Sequence, residues 1–143
     1  MITDALLRVS EDQAVTTTAV STNTVDLGVA RDIGEGTALY MNFALTEAFA
    51  NGTSVTFEVI TSAAANLGTP TVIGSSTTLA TAALTLGKNV VVRLNPDIAG
   101  KGQRFIGARY TVVGTMNAGK VTADIVETIG DGQKYYASGF TVV

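Results

Sequence analysis

Along "TALYMNFALT" (37–46) apolar and polar positions alternate: Leu39, Met41, Phe43 and Leu45 share one face, and Ala38, Tyr40, Asn42, Ala44 and Thr46 the other. A period of two is the mark of a strand with one face buried. "TSVTFEVIT" (53–61) repeats it, with Val55, Phe57 and Val59 on one side and Thr56 and Glu58 on the other. The Asn51-Gly52 pair between these segments accepts positive φ, which predicts a turn joining two antiparallel strands. "KNVVVRL" (88–94) sets Val90, Val92 and Leu94 against Asn89, Val91 and Arg93. "KVTADIVET" (120–128) sets Val121, Ala123 and Ile125 against Thr122 and Asp124, after an expected turn through Asn117 and Gly119.

Shorter strand candidates are 14–20, 24–30, 70–74 and the C-terminal 140–143. "GQRFIGARYTVVGT" (102–115) reads as a buried strand interrupted by Arg104 and Arg109. "SSTTLATAALTLG" (75–87) has the Ala and Leu of a helix, but its threonines and lack of charge favour a strand or extended loop. Threonine and valine raise strand propensity throughout. About eight short strands separated by turns predict an all-β chain, an antiparallel β-sandwich and most simply a jelly roll. One domain spanning 1–143 is expected, because no Pro/Ser linker and no internal repeat divides the chain. Residues 1–23 are open to two readings: an extended arm outside the sandwich, or a segment packed on its own domain through Ile2, Leu6, Leu7 and Val9.

Composition narrows the chemistry. The 143 residues are 46% hydrophobic and only 15% charged, which excludes a disordered polar segment. Nine basic and twelve acidic residues give a net charge of −3 with no basic stripe, so no nucleic-acid partner is expected. Apolar runs fall far short of the ~20 residues that span a bilayer, and no basic amphipathic segment exists, so no membrane role is expected. The N-terminal "MITDALLRVSEDQ" lacks a basic region followed by a long apolar one, so no signal peptide is expected. Without cysteine there is no disulfide or thiolate site, in keeping with synthesis in a reducing cytoplasm.

The absence of histidine removes Ser-His-Asp and Cys-His catalysis and most transition-metal sites. Carboxylate pairs remain: Asp124 with Glu127, Asp32 with Glu35, and Glu47 with Glu58. Asp124 and Glu127 face opposite sides of a straight strand, and Glu47 and Glu58 read as solvated charges flanking a turn. No calcium loop or phosphate-binding loop is present, and "GDGQK" (130–134) reads as a turn. No enzyme, cofactor or metal is expected.

Two stretches stand out. "VARDIGEG" (29–36) places Arg31, Asp32 and Glu35 among glycines. Arg104 and Arg109, five apart, point to opposite faces of a straight strand, and Tyr110 shares parity with Arg104. Either Arg109 pairs internally with an acid such as Asp32 or Glu35, or these side chains contact another protein, since Arg and Tyr are favoured interface anchors.

The succession "STNTVDLG", "RDIGEGTALYMNFALTEAF", "VTFEVITSA", "RFIGARYTVVGT" and "AGKVTADIVE" resembles the Bbp16-type capsid cement proteins of tailed bacteriophages, over about Ser21 to Glu127. The matching residues are Asp26, Arg31, Asp32, Gly34, Glu35, Gly36, Tyr40, Glu47, Arg109 and Tyr110. The resemblance implies a small jelly roll on the outer surface of an HK97-type virion shell, clamping neighbouring major capsid subunits. It also implies a small homo-oligomer, a dimer foremost. On that reading the capsid or self-interface candidates are Ile2, Leu6, Leu7, Arg8, Arg31, Asp32, Glu35, Arg104, Arg109 and Tyr110. Two alternatives belong to other classes. A non-catalytic carbohydrate-binding module would stack sugars on aromatics, for which Tyr135 and Tyr136 are the adjacent pair. A carboxylate-dependent hydrolase would rest on Asp124 and Glu127.

Overall fold

The computed structural model describes residues 2–33, 36–94, 102–127 and 129. Ten strands run through them: β1 (Arg8–Ala14), β2 (Ala19–Val20), β3 (Val25–Asp26), β4 (Tyr40–Asn51), β5 (Ser54–Ser62), β6 (Thr71–Ser75), β7 (Leu79–Ala80), β8 (Asn89–Arg93), β9 (Phe105–Val113) and β10 (Met116–Val126). Single 3-10 turns, Ala5–Leu7 and Thr81–Ala83, are the helical elements among the described residues.

One sheet has the order β1-β10-β4-β8. The other has the order β2-β9-β5-β6, with β3 also on β9 and β7 on β5. All pairings are antiparallel. The pairs nest: β1 with β10, β2 and β3 with β9, β4 with β8, β5 with β6 and β7. One long hairpin rolled up on itself produces this nesting, which is the jelly roll.

The alternation read from the sequence sets the core. Met41, Phe43 and Leu45 of β4, Val55, Phe57 and Val59 of β5, Val90 and Val92 of β8, and Val121, Ala123 and Ile125 of β10 are all buried. The rings of Phe43, Phe57 and Tyr110 meet at tilted or edge-to-face angles, with centroids 5.2–6.0 Å apart. Such pairs add to what their buried area contributes.

Two sequence expectations change, and an open reading is narrowed. Asn51 and Gly52 do form a turn, with φ of 59° and 61°. It is a corner between sheets, however, because β4 pairs with β10 and β8 while β5 pairs with β9 and β6. Residues 116–120 are part of β10, and the register shifts at Met116, Ala118 and Lys120 absorb the irregularity that reads as a turn. Within the 1–23 segment, Arg8–Ala14 is a strand of the first sheet and Ala19–Val20 a strand of the second, so these residues are part of the sandwich. Of the 14–20 candidate, residues 15–18 connect the sheets. The 75–87 segment is extended, with β7 and one 3-10 turn. The 140–143 candidate lies outside the described residues.

The two ends of the sandwich differ. At one end β4 turns into β5 through Asn51-Gly52 and β9 into β10 through Gly114-Thr115, and Thr53 N donates to Val113 O at 2.8 Å to bind the corners together. At the other end lie the start of β1, the long connections 27–39 and 63–70, and the end of β10. Register fixes this: Tyr40 lies beside Val126 and Arg93, Arg8 beside Asp124, and Ser62 beside Phe105.

Candidate functional site

Most of the interface candidates converge on the long-loop end. Ile2 and Leu6 are 93% and 84% exposed, ahead of and within the first 3-10 turn, whose N-cap Asp4 accepts from Leu6 N at 2.9 Å. Leu7 turns inward and packs on the core. Ile2, Asp4 and Leu7 line a shallow groove with Ile125, Val126 and Glu127.

Arg8 opens β1 and donates from Nε to Asp124 Oδ1 at 2.8 Å and from Nη1 to Glu11 at 3.1 Å. The Asp124 side chain is only 5% exposed although it faces away from the core, because the Arg8 side chain covers it. Its carboxylate is therefore committed to an arginine, while Glu127 is exposed beyond the strand end. The hydrogen bond and charge of Asp124 raise the Arg8 guanidinium above its usual value.

Arg31 and Asp32 are exposed on the 27–39 connection, where Asp32 Oδ1 accepts from Gly102 N at 2.7 Å. That bond brings the chain entering β9 against the chain leaving β3. Glu35 lies outside the described residues, as do Tyr135, Tyr136 and the segment 130–134 expected to turn.

Arg104 forms a two-pronged pair with Asp26, from Nε at 2.7 Å and Nη2 at 2.8 Å, and its guanidinium lies 5.0 Å from the centre of the Phe105 ring. The Arg104 bonds, with Gly28 N donating at 2.8 Å, hold the Asp26 carboxyl at about 2, below the usual 3.8. β9 begins at Phe105, so core parity does not extend back to Arg104, which points outward.

Arg109 pairs internally, with Glu58. It stands directly across from Glu58 on the outer face of the β9–β5 ladder and donates to it at 2.7 and 3.1 Å, with Thr111 Oγ1 adding a bond at 2.7 Å. Glu58 is thus no solvated turn charge: Arg109 first, then Thr111, pulls its carboxyl below the usual range, against partial burial. The pair is half-buried and sits away from the loop end.

Tyr110 is withdrawn from the interface candidates. It is fully buried between the sheets, and its Oη donates to Ser10 Oγ at 2.7 Å. Burial raises its hydroxyl far above the usual phenol value. Parity explains the position, because Ile106, Ala108 and Tyr110 form the inward face of β9.

The carboxylate partners are what sequence reading missed. Asp26–Arg104 and Glu58–Arg109 join residues 78 and 51 apart, and strand order alone brings them together. Glu58 and Arg109 carry a weak local signal, since each is the charged position on the outward face of an apolar strand. No group of three or more Asp/Glu placed to hold a metal ion exists among the described residues. No helix there is long and apolar enough to cross a membrane.

A family model for Bbp16 matches residues 9–125, from the second residue of β1 to the penultimate residue of β10. The chain belongs to the Bbp16 family. The match spans the whole sandwich, so this Bbp16-family domain is the jelly roll itself. Among the curated proteins compared with the chain, none matches. Bbp16 is a phage-derived family, and membership points to a phage structural protein. Arg31, Asp32, Arg104 and Arg109 lie within the match, whereas Ile2, Leu6, Leu7 and Arg8 precede it.

Proposed function

We propose that this Bbp16-family protein is a capsid cement protein: it binds the outer surface of an HK97-type shell and clamps neighbouring major capsid subunits. The observation that carries the reading is the family match over 9–125, coextensive with a jelly roll whose charged side chains act mainly as internal fasteners. A cement protein needs a rigid, chemically inert body and surface left over for partners. Rigidity is served by the Arg8–Asp124, Arg104–Asp26 and Arg109–Glu58 pairs, which tie strands distant in sequence. Surface is offered at the loop end by Ile2, Leu6, Arg31 and Asp32. Two modest contacts to adjacent subunits reinforce one another through effective concentration, so bridging a seam needs no single large interface. On this reading the protein works as a small homo-oligomer, a dimer foremost, without catalysis, nucleic acid or membrane.

Co-sedimentation with undecorated, expanded capsids of the same phage tests the proposal. Saturable binding at a fixed ratio to the major capsid subunit, with a higher capsid melting temperature, is the expected result. Absence of binding at micromolar protein overturns it.

A further inference from the structure

The loop end also carries a cleft with different chemistry, made by the first 3-10 turn, the link between β2 and β3, and the 63–70 loop. Its volume is about 480 Å³, and its lining includes Leu6, Arg8, Thr22, Asn23, Thr24 and Asn66. Ligand sites commonly fall between about 300 and 1,000 Å³. We infer that this cleft is a binding site for a neutral saccharide.

Three observations carry the inference. First, the polar groups are uncommitted. Among the described residues the side chains of Thr22, Asn23 and Thr24 have no intramolecular partner, and Asn66 uses only Oδ1, which accepts from Gly68 N at 3.0 Å. Hydroxyls and amides both donate and accept, as the neighbouring hydroxyls of a sugar ring do.

Second, the cleft offers no free cation. Among the described residues Arg8 is the charged member of the lining, and it is already held by Asp124 and Glu11. A phosphate or other anionic ligand therefore finds no unpaired cation there. Leu6, with Ala5 and Ala65, supplies an apolar flank for the C–H face of a ring.

Third, the walls are held before any ligand arrives. Ser21 Oγ accepts from Ala108 N at 3.0 Å and donates to Asn23 O at 2.9 Å, and Asn23 N donates to Val9 O at 2.9 Å. Across the cleft, Ser62 Oγ donates to Gly68 O at 2.6 Å and accepts from Ala64 N at 3.2 Å, while Leu67 is buried. Side chains mounted on a fixed backbone lose less entropy on binding. Among the described residues the lining includes no aromatic ring, so affinity in the millimolar range is expected.

An amide-resolved NMR titration of the isolated protein tests this, with glucose, galactose, N-acetylglucosamine and maltose as probes. The expected result is saturable shifts confined to residues 5–8, 21–24 and 65–68 for at least one sugar. Asn23→Ala with Thr24→Val then weakens that sugar about tenfold, as loss of two modest hydrogen bonds implies. Both side chains lack internal partners, so the melting temperature stays unchanged, whereas Leu86→Ala at the opposite end leaves binding intact. Three results overturn the inference: no saturable shift with any of the sugars, shifts that the double variant does not weaken, or shifts produced by a neutral capped dipeptide and by no sugar. The titration involves no capsid, so its outcome is separate from that of the cementing test.

Discussion

Tyr110 Oη donates to Ser10 Oγ at 2.7 Å inside the sandwich, joining residues one hundred positions apart. Ser10 Oγ in turn donates to Gln13 Oε1 at 2.7 Å, and Gln13 Nε2 donates to Val20 O at 2.9 Å. This chain sews β1 of the first sheet to β2 and β9 of the second, along one long side of the sandwich. Tyr110→Phe removes one donor and is expected to cost about 1 kcal/mol. Ser10→Ala leaves a buried phenol without its acceptor and is expected to cost about 2–3 kcal/mol. The double variant should cost less than the sum, because the phenyl ring that replaces Tyr110 has no hydroxyl to satisfy. Urea unfolding of the four proteins decides it; strict additivity would mean that the two groups are not coupled.

Acid should loosen the Asp26–Arg104 clasp before it reaches the core. The folded-state carboxyl of Asp26 is held at about 2, against 3.8 ordinarily. In the unfolded chain it takes up a proton first as pH falls, so its contribution is present above 3.8 and is lost between there and about 2. Both side chains are nearly half exposed, so the contribution should also shrink in high salt. Thermal unfolding followed from pH 5 down to pH 2 is expected to show a slope that Asp26→Asn flattens. Equal slopes for the two proteins would refute the clasp.

The 63–70 loop is anchored on the outer face of the second sheet by Leu67, which is 2% exposed and seated over Gly107. A Cβ at Gly107 would meet the Leu67 side chain and also the Ser21 Oγ, at 2.7 Å. Gly107→Ala should therefore cost about 1–3 kcal/mol by overpacking and speed proteolytic nicking within 63–69. Limited proteolysis with mass mapping reads this directly. Unchanged stability together with an unchanged nicking pattern would show that Leu67 swings aside freely and anchors nothing.

How much of this was legible follows from which interactions are local. Inward faces of β4, β5, β8 and β10 are written in a period of two and stand where it places them. β1 was illegible because "RVSEDQA" does not alternate: register shifts between Arg8, Ser10 and Gln13 bend it, and Asp12 takes a φ of 45°. The Asn51-Gly52 signal correctly gave a turn but not its partners, since neighbours in a jelly roll are chosen across the whole chain. Arg104 and Arg109 are visible as interruptions of an apolar stretch. Their partners Asp26 and Glu58 are not, because an ion pair between strands depends on strand order and register. Tyr110 was misassigned for a related reason: an aromatic on the inward face looks the same in sequence as one waiting for a partner.

The loop end and the outer face of the second sheet make opposite predictions for capsid binding. Ile2 and Leu6 are almost wholly exposed, so Ile2→Ser with Leu6→Ser should change the protein's own stability by less than about 0.5 kcal/mol. Arg109 is half-buried against Glu58, so Arg109→Ala should cost about 1–2 kcal/mol by stranding the Glu58 carboxylate. If the loop end meets the shell, the double serine variant folds normally yet co-sediments several-fold more weakly with expanded capsids. Arg109→Ala does the reverse: it lowers the melting temperature but, below that temperature, binds the shell as the unmodified protein does. Loss of capsid binding by Arg109→Ala at intact fold, with no loss for the serine variant, would move the contact to the outer face of the second sheet. The loop-end assignment would then be wrong, while the cementing role would survive.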